Sequence, residues 1–169
     1  MGDLKKDGAD SSVPPVDDGE TLLRLAWWPQ DVNDDGSLLP TAFPSQDLRG
    51  PERGLSVDRA AMVHPGCVIA LANYQRPKRP EGSQPFISPV QAGAVRAIAD
   101  DNGQSACAVE ASPTQADAER SLPQNLGHAQ IISRSGRNKS AINQLRINLI
   151  RLFGKATPLK NDLPYSAGT

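Results

Sequence analysis

The chain has 169 residues, 38% hydrophobic and 4% aromatic, with 15 prolines and a formal net charge of −1. That length suits one domain with a real core and is short for two, while proline at nearly twice its ordinary ~5% argues against a compact helical bundle. No run of about 18 apolar residues occurs, which excludes a spanning helix, and a pI near 6.1 lacks the strong basicity of a dedicated nucleic-acid binder.

Residues 1 to 20 are Asp, Lys, Gly, Ser and Pro with almost no apolar residue, so they predict a disordered tail. Thr21 to Trp28, T-L-L-R-L-A-W-W, predicts a strand buried on at least one face. A long irregular stretch with Pro29, Pro40, Pro44 and Pro51 follows. Leu55-Ser56-Val57 alternates like a short strand. Asp58 is placed to cap a short helix over 59–62, which Pro65-Gly66 would stop. Cys67 to Ala72 is apolar and fits strand or helix. Arg76 to Pro85 predicts a basic, proline-rich loop.

Ala92 to Ala99 and Ser105 to Ala111 flank Asp100-Asp101-Asn102-Gly103, a hairpin signal. Residues 113–124 are expected to form a polar linker. His128 to Ser133 predicts a further strand. From Asn138 to Phe153, Ile142, Leu145, Leu149 and Leu152 recur at helical spacing, with Asn138 or Ser140 as cap and Gly154 at the C′ position. Residues 156–169 are expected to be a loose tail. The sum is one α+β domain over 21–155: a small, mainly antiparallel sheet from strands near 21–28, 92–99, 105–111 and 128–133, with the C-terminal amphipathic helix packed on one face.

Pro40–Phe43 (P-T-A-F), Gly54–Arg59 (G-L-S-V-D-R) and Leu122–Ile131 (L-P-Q-N-L-G-H-A-Q-I), followed by a basic C-terminal helix, give an order of motifs that resembles a group of uncharacterised bacterial proteins with L-S-V and N-x-x-H-A-type segments. The resemblance spans roughly residues 21–153. It implies a fold and a bacterial cytoplasmic setting and nothing about mechanism.

Five patterns carry chemistry. Asp31, Asn33 and Asp35 with Gly36 match the first half of a calcium loop, yet Leu39 and Ala42 stand where its later ligands belong, so no metal is expected. His64 and Cys67 are spaced for a thiolate pair, although Pro65-Gly66 lies between them. Arg24, Ser56 and His128, with Glu110 as a carboxylate, compose a nucleotide- or NAD-acting site: arginine for phosphate, serine for a ribose hydroxyl, the carboxylate for developing positive charge. Trp27 and Trp28 point to opposite faces of a strand, so one of them is free to meet a loop or a protein partner. Arg134, Arg137, Lys139 and Arg146 belong to a C-terminal third without Asp or Glu between His128 and Lys160. That basic edge suits an anion or nucleic acid, unless the acidic remainder of the domain neutralises it.

No phosphate loop, zinc ligand set, G-x-S-x-G elbow or H-E-x-x-H helix is present. Two cysteines, Cys67 and Cys107, form no disulfide framework and fit a reducing cytoplasm; the N-terminus shows no apolar leader. The expectation is a non-enzymatic interaction module without a cofactor, an accessory subunit of a bacterial multi-protein system. Its expected partner is a protein, with nucleic acid as the alternative. The alternative function is the nucleotide- or NAD-acting enzyme centred on Arg24, Ser56 and His128.

Overall fold

In the computed structural model, residues 13–161 and 163 are described. They form an α+β fold: one six-stranded antiparallel sheet and three α-helices. In chain order the elements are β1 (Thr21–Trp28), β2 (Leu55–Arg59), α1 (Pro65–Gln75), β3 (Gln84–Gln91), α2 (Ala92–Arg96), β4 (Cys107–Ala111), β5 (His128–Ser133), α3 (Lys139–Leu152) and β6 (Thr157–Pro158). The sheet order is β4-β5-β2-β1-β3-β6.

Alternation along the strands divides the interior. Leu22, Ala26, Leu55, Val57, Ala129 and Ile131 face the larger core, which Ile142, Leu145 and Leu149 of α3 close from outside. Leu23 and Ile87 face the other way, toward Val63 and Val68 at and before the start of α1. Phe43 and Phe153 meet at 5.1 Å between ring centroids, tilted by 58°, and fix the end of α3 against the 29–53 segment.

Helix α3 forms where its spacing predicts, with the Asn138 side chain accepting from Ala141 N–H (3.1 Å). Its exit differs from expectation. Phe153 leaves in extended backbone, and Gly154 donates its N–H to Pro89 O (2.8 Å) instead of adopting a left-handed cap. Leu152 is exposed, and Phe153 takes the buried place at the end of the stripe.

The expected strand at 92–99 is a correction. Ala92–Arg96 is a helical turn, which puts Ala92 and Val95 into the core. Only the tip of the expected hairpin remains: Asp100 N–H reaches Gln104 O (2.7 Å) and Ala106 N–H reaches Ile98 O (2.8 Å). The interior strand that the sequence reading did not foresee is β3, pairing with β1 along its whole length. Pro85 and Pro89 disguise it, since proline argues against an interior strand. Both turn their carbonyls outward, to Leu159 and Gly154, so their absent N–H groups also face the outer edge and β1 loses no donor.

Asp58 and Arg59 remain in β2 and cap no helix. Pro65 opens α1 at its first turn, where a missing N–H costs nothing, and His64 is its cap. The linker at 113–124 is a short ladder, with bridges Thr114–Asn125 and Asp117–Leu122.

Residues 13–20 are not a tail. Val16 is buried, and Arg59, itself buried, donates to Pro14 O (2.7 Å) and clamps Glu20 at 2.7 and 2.6 Å. Residues 1–12 of the expected N-terminal tail lie outside the described residues. At the other end Thr157–Pro158 pair with β3 and Ala156 and Leu163 are buried. The rest of that expected tail, 162 and 164–169, also lies outside them.

Candidate functional site

The β1–β2 ladder is short. Leu22 pairs with Arg59 and Leu23 with Asp58, and the register ends there. Beyond it Arg24 bridges the parted strands: Nη1 donates to Ser56 O (2.8 Å), while Nε and Nη2 donate to Ala42 O at 3.1 and 2.9 Å. A cleft of about 620 Å³ opens at this gap. Strands β1, β2 and β5 supply Arg24, Ser56, Asp58 and His128; α1 supplies Cys67 and Gln75; the 114–125 ladder forms the opposite rim. The structure thus brings Arg24, Ser56 and His128 to one place. Glu110 does not line the cleft; it pairs with Gln130 on the far side of β5, and the cleft carboxylate paired across the strands with His128 is Asp58.

Asp58 and His128 are cross-strand partners on β2 and β5, so their side chains share one face. Asp58 is buried, and burial pushes its carboxyl above the usual range. A hydrogen bond from Asn125 and the nearby His128 and Arg24 act against that rise. Asn125 holds the arrangement from both ends. Its Nδ2 donates to Asp58 Oδ1 (2.8 Å), and its Oδ1 accepts from Gly127 N–H (3.0 Å). His128 Nδ1 lies 2.6 Å from Ser112 O. A carbonyl only accepts, so Nδ1 carries the proton and the neutral ring has its lone pair on Nε2.

Three cations and four carboxylates line this cleft: Arg24, Arg79 and Arg120 against Asp31, Asp47, Asp58 and Asp117. Arg79 stands 3.9 Å from Asp31 and Arg120 3.5 Å from Asp117. Burial draws the Arg24 guanidinium below its ordinary range, and Asp47, Asp31 and Asp58 resist this. Arg24 spends three of its five N–H groups on the two carbonyls, which leaves two to donate to a ligand.

The remaining residues from the sequence lie elsewhere or are otherwise engaged. Cys67 lines the cleft, but burial and the Asp58 carboxylate push its thiol up, and it donates to Gln124 O (3.4 Å). His64 is not its base, because His64 Nδ1 accepts from Gly66 N–H (3.0 Å). Asp31, Asn33 and Asp35 do not converge on a point. Asp31 accepts from Trp27 N–H, Asn33 donates to Ser37, and Asp35 accepts from Ser37 twice; no metal-binding group of acidic, His or Cys residues occurs among the described residues. Trp27 is fully buried with Nε1–H on Gln75 (2.9 Å), so it has no surface to offer a partner. Trp28 is half-buried, its Nε1–H on Asp34 (2.9 Å), so the 29–53 segment folds back against it. Arg134, Arg137, Lys139 and Arg146 lie outside the cleft. Arg134, Arg137 and Lys139 are exposed and Arg146 is half-buried.

Asp58 and Asn125 are among the cleft residues that sequence reading missed, as are Asp47, Arg79, Asp117 and Arg120. The signal for Asp58 was its alternation with Ser56 in L-S-V-D, which puts both on one face of a strand.

Comparison with family models, curated proteins and solved structures finds no match to this chain. Among the described residues no helix is long and apolar enough to cross a membrane.

Proposed function

We propose that the protein is an enzyme acting on a nucleotide or nucleotide-derived small molecule, with the Asp58–His128 pair as its acid–base centre. The observation that carries this reading is the placement of Arg24, Ser56, Asp58 and His128 around one open cleft. Arg24 offers its two remaining N–H groups to a phosphate or carboxylate of the ligand. Ser56, exposed beside it on β2, offers a hydroxyl for a sugar. His128 Nε2 takes a proton from the attacking group, and Asp58 stabilises the imidazolium that forms. A carboxylate kept buried beside a histidine, at a cost in desolvation, is a common mark of a working site.

The interaction-module reading, an accessory subunit in a bacterial cytoplasmic system, rests on what remains apolar outside. Ile147 and Leu152 of α3 and Leu126 are exposed, and Trp28 is half-covered. These are scattered single residues, ordinary on a soluble surface, and Trp27 no longer contributes. The cleft is the stronger feature. The two cysteines, both free, support a reducing compartment.

The test is a thermal-shift and turnover screen with NAD and with nucleoside mono-, di- and triphosphates, on wild type and on His128→Asn. Asparagine can still donate to Ser112 O, so the variant should fold. A ligand that stabilises wild type and is turned over by it alone supports the enzyme. Equal stabilisation and turnover in His128→Asn would refute it.

A further inference from the structure

We infer that a basic groove beside the N-terminal end of α3 binds the phosphate backbone of a nucleic-acid strand. Two hollows of about 440 and 490 Å³ adjoin there, sharing Arg49 and Arg137. Arg53 lies at one end, and Lys139 and Arg146 at the other. Five cations thus line the pair of hollows, with Glu52 the one carboxylate among the lining residues. The groove shares no lining residue with the cleft. The 45–49 segment serves both, giving Asp47 to the cleft and Ser45, Gln46 and Arg49 to the groove.

Among the described residues these five cations form no ion pair, whereas Arg59, Arg79, Arg96 and Arg120 each stand within ion-pair distance of a carboxylate. Arg146 gives Nη2–H to Pro40 O (2.8 Å), and its Nε is buried without a partner. Like charges gathered around a concavity repel one another, and an anion relieves that repulsion. Because the cations span two hollows, a repeated anion engages them better than a single phosphate. An acidic peptide would ordinarily add an apolar anchor or a sheet edge, and the groove offers only Pro51 and the buried Ile142. No aromatic residue lines it, so bases have nothing to stack on and binding is to phosphates, without sequence preference. The inference stands apart from the proposed enzyme activity: neither requires the other.

The experiment is fluorescence anisotropy on the full chain with labelled DNA and RNA of about 20 nucleotides, between about 50 and 200 mM salt. It compares wild type with the triple variant Arg49→Gln/Arg137→Gln/Lys139→Gln, and with Lys155→Gln/Lys160→Gln as a control outside the groove. All the substituted side chains are exposed, and circular dichroism checks the fold. Expected are binding by wild type and by the control, a loss of about tenfold or more in the triple variant, and a salt slope lowered by about one for each cation removed. Absence of binding at the lowest salt would overturn the inference. So would a triple variant that binds as wild type does, or polyglutamate competing as well as unlabelled nucleic acid of equal charge.

Discussion

Asp58 and His128 stand opposite each other on adjacent antiparallel strands, the carboxylate buried and the imidazole half-buried at the mouth of β5. Strand pairing alone sets this juxtaposition, so it does not depend on a flexible loop. The cost is a carboxylate kept out of water, with the Asn125 amide donating a hydrogen bond to it.

That cost makes Asp58→Asn informative. The carboxyl of Asp58 titrates higher in the folded than in the unfolded chain. Its contribution therefore favours folding most at low pH and is lost as pH rises through the raised value. Asparagine can still accept from Asn125 and carries no charge. Melting temperatures of wild type and variant, compared at pH 4 and pH 7 (about the usual carboxylate value and well above it), should show the variant gaining relative to wild type as pH rises. Ligand turnover should fall at least about 100-fold, the lower end for loss of acid–base catalysis.

Glu20 and Arg59 behave in the opposite sense. Arg59 is 2% exposed and its partner 18%, and the guanidinium beside it holds the Glu20 carboxyl below its usual range. The stabilisation is present above the unfolded pKa and lost as pH falls through the folded one. Glu20→Gln leaves a buried guanidinium without its counter-charge and should cost about 3 kcal/mol at neutral pH. Urea unfolding at neutral and acidic pH should show the deficit shrinking in acid.

Arg24→Leu should destabilise by about 2 kcal/mol, because Ala42 O and Ser56 O both lose their guanidinium donors. The parted strands have no ladder there to replace it. Amide hydrogen exchange in the variant should accelerate in β2 and near Ala42, while α3 keeps its protection.

Gly127→Ala tests the turn that delivers His128. A Cβ there would lie 2.5 Å from Val63 N and 2.8 Å from Val63 Cα, backbone atoms that cannot swing away. A loss of about 2–3 kcal/mol follows from such overpacking, read as a shift of the chemical-denaturation midpoint.

What the sequence made legible follows from how each element buries its face. Helix α3 showed itself through Ile142, Leu145 and Leu149 at helical spacing, and β1 and β5 through apolar runs that end in turn residues. Strand β3 stayed hidden because Pro85 and Pro89 argue against a strand, and only the pairing shows that their missing donors face outward. Ala92–Arg96 carried a strand-like apolar content, yet the core takes it as a helical turn beside Asp18 and Glu20. For the cleft, Arg24, Ser56 and His128 were nameable from residue type. Asp58 was mistaken for a cap, since a buried charge in a strand is rare without a partner, and that partner, Asn125, lies far along the chain.

The most direct test of the cleft uses the protein's two histidines. His128 is held as the Nδ1–H tautomer by Ser112 O, and His64 as Nε2–H, because its Nδ1 accepts from Gly66. Long-range proton–nitrogen spectra of the neutral imidazoles should therefore show two opposite tautomers. Adding the nucleotide that emerges from the thermal screen should shift the His128 nitrogens and leave those of His64 in place. A His128 ring protonated on Nε2, or ligand-induced shifts confined to His64, would contradict the account.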